Sequence, residues 1–161
     1  MKTSLILSAI FAFSSSAFAM PSVGDDSVFA LTNTMNGQTV TGTVEIKLIS
    51  HNTSNETWDE RESITVNGQS QTQDQSVATS QLLTDATAQQ ILASCASIGG
   101  KAQSITVPAG TFNTCSIPSS SNGSTGTVWI STVTFGVVQS DETASNGEHV
   151  VLKLVSTHSG T

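Results

Sequence analysis

Four Asn-Gly pairs, at 36–37, 67–68, 122–123 and 146–147, each stand between stretches able to form strands. Asn-Gly accepts the positive φ angles that a tight hairpin needs, so four of them in one short chain point to an antiparallel meander. Alternation is clearest over 40–50. There Val40, Val44, Ile46 and Leu48 fall on one face and Thr41, Thr43, Glu45 and Lys47 on the other, as in a strand with one wet side. Residues 27–32 read as its partner across Asn36-Gly37, and 57–66 pairs with 69–77 across Asn67-Gly68. The Gln-rich run 69–77 carries the weakest strand signal.

Downstream, 102–107 and 111–117 flank Pro108-Ala109-Gly110, which suits a turn between strands. The polar run 118–124 reads as loop, and 127–131, 135–138 and 150–155 complete the sheet. One segment breaks the strand period. Thr84-Asp85 opens an Ala- and Gln-rich run through Cys95 that Gly99-Gly100 closes, the pattern of a helix over 84–95. Its apolar stripe, Ala88, Ile91, Leu92, Cys95 and Ile98, must dock on the sheet, because a helix this short is marginal alone.

Residues 1–19 have the anatomy of a secretory signal: Lys2, an apolar run from Leu5 to Phe13, and Ala17-Phe18-Ala19 ahead of the expected cleavage. The apolar run is broken by Ser14-Ser15-Ser16, too early for the ~20 residues of a membrane anchor. The reading is therefore a signal peptide over 1–19 and one β domain over 20–161, periplasmic or secreted, without a membrane span once cleaved. Export also changes how the two cysteines read. In an oxidising compartment Cys95 and Cys115 are expected as a disulfide, two buried free thiols being the other reading.

The chain of 161 residues carries 12 acidic and 5 basic side chains, so it has no basic footprint for nucleic acid. Two cysteines cannot build a zinc ribbon. No G-x-S-x-G elbow occurs, and Gly123-Ser124-Thr125-Gly126 reads as turn chemistry. Asp59, Glu60 and Glu62, beside Arg61 and near a loop-placed His51, could do acid–base work, but charged residues on a solvated strand edge explain them more simply. His149 and His158 stand too far apart on one extended segment to share a metal. The acidic stretch 141–148 lacks the spacing of a calcium loop and reads as a hairpin turn. No catalytic set, metal or cofactor is expected. Trp58, Trp129 and Phe135 are core anchors or, alternatively, the aromatic lining of a ligand site.

Four short motifs, Val107-Pro108-Ala109-Gly110-Thr111-Phe112, Val128-Trp129-Ile130-Ser131, Phe135-Gly136-Val137-Val138 and Leu152-Lys153-Leu154-Val155-Ser156, resemble the C-terminal half of small, uncharacterised exported bacterial proteins with the lipoprotein-localisation (LolA/LolB-like) fold. The resemblance covers roughly 100–156. It implies a strongly curved, half-barrel-like antiparallel sheet; with the segments read above, the expected fold is mainly β, a curved meander of about nine strands with one short helix packed on it. It further implies a non-enzymatic protein that binds a lipid-like or other apolar small molecule in the cell envelope. The alternative is a structural module that meets an envelope protein through polar loops or an unpaired strand edge.

Overall fold

A computed structural model describes residues 20–121 and 123–160. The expected signal peptide lies outside them, as does Asn122. Nine strands form one sheet: β1 (Asp26–Met35), β2 (Gln38–Asn52), β3 (Thr57–Val66), β4 (Gln69–Ala78), β5 (Lys101–Val107), β6 (Gly110–Ser121), β7 (Ser124–Ile130), β8 (Val137–Ala144) and β9 (His149–His158). The one α-helix among the described residues, α1 (Asp85–Ala93), lies between β4 and β5 after a turn of 3-10 helix at Thr79–Gln81. The mainly β class with one short helix is as expected. No helix among the described residues is long and apolar enough to cross a membrane.

Strand order is β4-β3-β2-β1-β9-β8-β7-β6-β5, antiparallel throughout. Each half is a meander, and the halves join where the first strand pairs with the last. Residues 79–100 must therefore travel from one edge of the sheet to the other, roughly 38 Å for nine strands at ~4.8 Å spacing. The sheet itself stays open and uncurled where the resemblance implied a half-barrel. What bends is the β5–β6 hairpin. β6 pairs with β7 only from Cys115 onwards, so its first residues are free of that neighbour. The tip folds back, Ala109 N–H donating to the Leu154 carbonyl at 3.0 Å.

That fold-back makes the core. Phe29, Val44, Leu154 and Val138 from the middle of the sheet pack with Val107 of the hairpin tip, and Ile105 and Phe112 close the cluster from the same side. The alternation read over 40–50 holds, with Val44 and Leu48 buried, whereas Val40 near the turn is exposed. The turns follow the chemistry of Asn-Gly. Asn36 (φ 51°) with Gly37 (φ 76°), and Asn67 (φ 51°) with Gly68 (φ 77°), form two-residue hairpins with both φ angles positive. At Asn146-Gly147 only Gly147 is positive, and the Gly147 N–H donates back to Ala144, so this loop is one residue longer.

Several sequence expectations are corrected. Residues 118–121 are strand, not loop: Pro118 sits opposite Thr127 beyond the point where β5 ends, so its missing N–H can face an unpaired side. The segment 135–136 is loop, because Phe135 and Gly136 both take positive φ and β8 begins at Val137. His51 belongs to β2 rather than to a loop, and a register shift between Leu48 and Ser50 sets it opposite Trp58. The acid-rich β3 is not an edge strand, because β4 flanks it along its whole length. Ile98, in the turn past α1, is exposed and outside the helix stripe.

Across that β3–β4 ladder Arg61 holds Asp74 with two hydrogen bonds of 2.7 and 2.8 Å. Those hydrogen bonds keep the Asp74 carboxyl below its usual range against the opposing effect of desolvation, with a lesser contribution from the guanidinium charge. A carboxyl lowered on folding adds stability that is complete above its unfolded value of about 3.9 and is lost as pH falls through the lower folded value. Asp74→Asn is therefore expected to lower the urea midpoint near neutrality and to match the parent in strong acid, measured by denaturation at several pH values.

α1 begins at a Thr84 cap that accepts the Thr87 N–H at 3.3 Å, and its Ala88 is fully buried. It rests on β6 and β7, and Cys95, just past its end, is bonded to Cys115 of β6. Gly100 lets the chain pass over this bond: a Cβ there would lie 2.5 Å from Cys115 Sγ. Closing a loop of 20 residues is worth roughly 3 kcal/mol by loop entropy. Replacing both cysteines by alanine should lower the unfolding free energy by about that amount, read from urea denaturation of parent and variant.

Candidate functional site

The termini of the described chain meet because β1 and β9 are neighbours, and one carboxylate ties them. Asp25 accepts the Ser22 N–H at 2.8 Å through one oxygen and the Gly160 N–H at 2.7 Å through the other. Two more bonds fix this end of the sheet: Gly24 N–H to the Leu48 carbonyl at 2.8 Å, and Ser27 Oγ–H to the Thr134 carbonyl at 2.9 Å. The second of these draws the β7–β8 loop over β1.

Between these pieces lies a half-open cleft of about 590 Å³. Its walls come from four places: residues 20–25 before β1, 82–85 of the crossover, 132–135 between β7 and β8, and 157–160 at the end of β9. Met20, Pro21, Leu82, Leu83, Val133 and Phe135 supply the apolar lining, and hydroxyls of Ser22, Thr84, Thr132, Thr134, Thr157 and Ser159 supply the polar part. Among the described residues, Asp25 and Asp85 are its charged ones, with no Lys, Arg or His in the lining. Such a cleft suits an apolar group carrying neutral or cationic polar atoms better than an anion.

The Phe135 wall is held against a local backbone preference. A bulky residue at φ 60° costs on the order of 1–2 kcal/mol. The loop retains it through Ser131 N–H to the Gly136 carbonyl at 2.8 Å and Gly136 N–H to the Val133 carbonyl at 2.7 Å. Leu83 seats directly on Gly136, where a Cβ would come 2.2 Å from Leu83 Cδ2. Crossover and loop thus interlock through the absence of a side chain.

The three aromatic residues singled out in the sequence do not converge. Phe135 lines the cleft. Trp58 is 4% exposed, stacks on His51 with ring centroids 4.0 Å apart, and donates its indole N–H to Thr79 Oγ1 at 3.1 Å. It anchors the start of the crossover to β3. Trp129 lies on β7 with its indole nitrogen buried and without a hydrogen-bond partner. The histidines are likewise dispersed, His149 on Asp141 at 2.7 Å and His158 on Asp26 at 2.8 Å. Among the described residues no three His, Cys, Asp or Glu side chains gather as a metal cage. The residues missed in the sequence are Leu82, Leu83 and Asp25. The leucines carried a signal, two adjacent large apolar residues just outside the helix period; Asp25 carried none.

The chain matches no family model and no curated protein. Among solved structures it is similar to a candidate exported protein with a YmcC-like fold from Bacteroides fragilis, at 8% identity and TM-score 0.49, over 88% of this chain and 98% of that one. It is also similar to a chain in the complex of Pseudomonas aeruginosa MucA with MucB, at 14% identity and TM-score 0.45, over 84% of this chain and 52% of that one. A structure of MucB alone matches at 15% identity and TM-score 0.38, over 86% and 54%. The chain thus spans about half the length of those two matched chains. At these identities the likenesses do not place the chain in a family.

If the Leu83–Gly136 contact sets the cleft wall, Gly136→Ala should cost at least ~2 kcal/mol, from the clash and the positive φ together. Leu83→Ala in the same chain should recover the steric part, so a double-mutant cycle by urea denaturation should give a coupling of about 1 kcal/mol or more.

Proposed function

We propose that the protein is exported and non-enzymatic, and that it binds a lipid-like or other apolar ligand in the cell envelope, the cleft at the end of the sheet being the site. The observation that carries this is Phe135: a large aromatic wall kept at an unfavourable φ beside Leu82, Leu83 and Val133, with a rim of hydroxyls. Side chains held so at a loop are commonly there for what they contact. Pockets for such ligands are mostly apolar with a few polar groups that fix orientation. The two lining carboxylates, without a cation, favour a neutral or cationic head over an anionic one. The disulfide and the signal-like sequence of residues 1–19 support export.

Native mass spectrometry of protein purified from its host without detergent is expected to show a bound apolar molecule. A neutral fluorescent monoacylglycerol should bind more tightly than the matching fatty acid anion. Phe135→Gly removes the ring while relaxing the backbone, so it should weaken the neutral probe by about tenfold with little change in melting temperature. A ligand-free mass together with no binding of either probe overturns the reading.

A further inference from the structure

Sheet edges are normally blunted, by lysine, proline, a bulge or shortness, because their unpaired N–H and C=O groups template a further strand. β5 is treated in that way: it is short, opens on Lys101, and its tip folds onto β9. β4 has none of these devices. It runs 10 residues in unbroken register with β3, whereas the β1–β9, β2–β3 and β7–β8 ladders are each interrupted by a shift. It contains no proline and no lysine, and Gln69 to Ser76 are all exposed. Its one charge, Asp74, is already held by Arg61. The nearest other carboxylates, Glu60 and Glu62, stand one strand in on β3, opposite Gln75 and Gln73, and Gln75 donates to Glu60 at 2.7 Å.

The composition of β4 says what fits there. Gln69, Gln71, Gln73 and Gln75 alternate with Ser70, Thr72, Asp74 and Ser76, so one face of the strand is a row of primary amides. An amide both donates and accepts, which makes such a row complementary to itself. The backbone direction follows from the hairpin. A two-residue turn makes Val66 and Gln69 the pair that exchanges both N–H···O bonds. The backbone groups of Gln71, Gln73 and Gln75 then also turn towards β3, and those of Ser70, Thr72, Asp74 and Ser76 turn outwards.

We propose that β4 is a homodimerisation edge, pairing antiparallel with β4 of a second copy about a two-fold axis at Thr72. This register sets Gln71 opposite the partner's Gln73 and Gln69 opposite the partner's Gln75, so every glutamine meets a glutamine. Thr72 faces its own copy, and Ser70 offers a hydroxyl to the partner's Asp74, keeping the two carboxylates apart. Other registers place Asp74 against Asp74 or leave amides unmatched. The interface is independent of the cleft, and its failure would leave the ligand reading intact.

Sedimentation equilibrium of the purified protein over a concentration series tests it, with a reversible dimer expected. Thr72→Pro deletes an outward N–H without touching the β3 ladder and should weaken the dimer by about tenfold or more. Gln71→Lys with Gln73→Lys should do the same by repulsion, on exposed positions that leave the fold alone. Gln71→Lys with Gln73→Glu should restore association, because each introduced lysine then faces an introduced glutamate of the partner. A monomer up to millimolar concentration overturns the proposal, as does a dimer that neither Thr72→Pro nor the double-lysine variant weakens.

Discussion

The antiparallel pairing of β1 with β9 is the contact on which the remaining architecture rests. Each half of the sheet is a set of local hairpins, and neither has a hydrophobic face that closes by itself. Phe29 and Leu154 stand opposite each other across this ladder and head the core cluster. The pairing joins residues near the two ends of the described chain, so the entropy of closing a very long loop must be met before the core can form. Such topologies fold slowly, since local hairpins can form early but have no common surface until the ends meet.

From that constraint the position of the cleft follows. With the outermost strands in sequence at the middle of the sheet, the middle of the sequence must run between the edges, and its crossover crosses one face. Trp58 and Thr79 fix where it leaves β3 and β4, and the Cys95–Cys115 bond fixes where it reaches β6. Between these two moorings Leu82 and Leu83 pass the β7–β8 loop and the paired termini. The cleft is the space left where a strap of limited apolar content crosses a sheet wider than it can cover. Phe135 stands outside the buried cluster, and the hydrogen bonds of its own loop hold it at positive φ.

Much of the fold was legible because hairpins are local. At each two-residue turn a hydroxyl pair stands one step in from the flanking residues: Thr34 with Thr39 at 3.0 Å, Thr65 with Ser70 at 2.7 Å, Thr106 with Thr111 at 2.9 Å. At those positions opposite Cβ atoms come closest, so the pairing is written into a few residues either side of the turn. α1 and the disulfide were legible for related reasons, through a cap, a period and a compartment. Strand order was not. Which hairpin lies beside which depends on β1 meeting β9, and no residue type announces that. The cleft shares this opacity: its walls come from four distant segments, and of its lining only Phe135 was conspicuous by size. The burial of Trp58 against His51 was hidden for a subtler reason, since a one-residue shift in β2 turns His51 to the other face.

The scarcity of large apolar side chains shapes what remains exposed. Five residues head the buried cluster, drawn from β1, β2, β8, β9 and the β5–β6 tip, and β3 and β4 contribute none. Away from the buried Trp58 at the far end of β3, the β3–β4 hairpin is kept in place by its ladder, by hydroxyl and amide contacts such as Glu60 with Gln75, and by the Arg61–Asp74 pair, all near the surface. A strand so held gains little from burial and loses little by being wet. Length and regularity then cost almost nothing within the monomer, yet they leave a continuous row of backbone donors and acceptors facing solvent. In an acidic protein, a long, straight edge whose own carboxylate is already paired with Arg61 puts little charge in the way of strand-to-strand contact, the nearest other carboxylates, Glu60 and Glu62, lying one strand in.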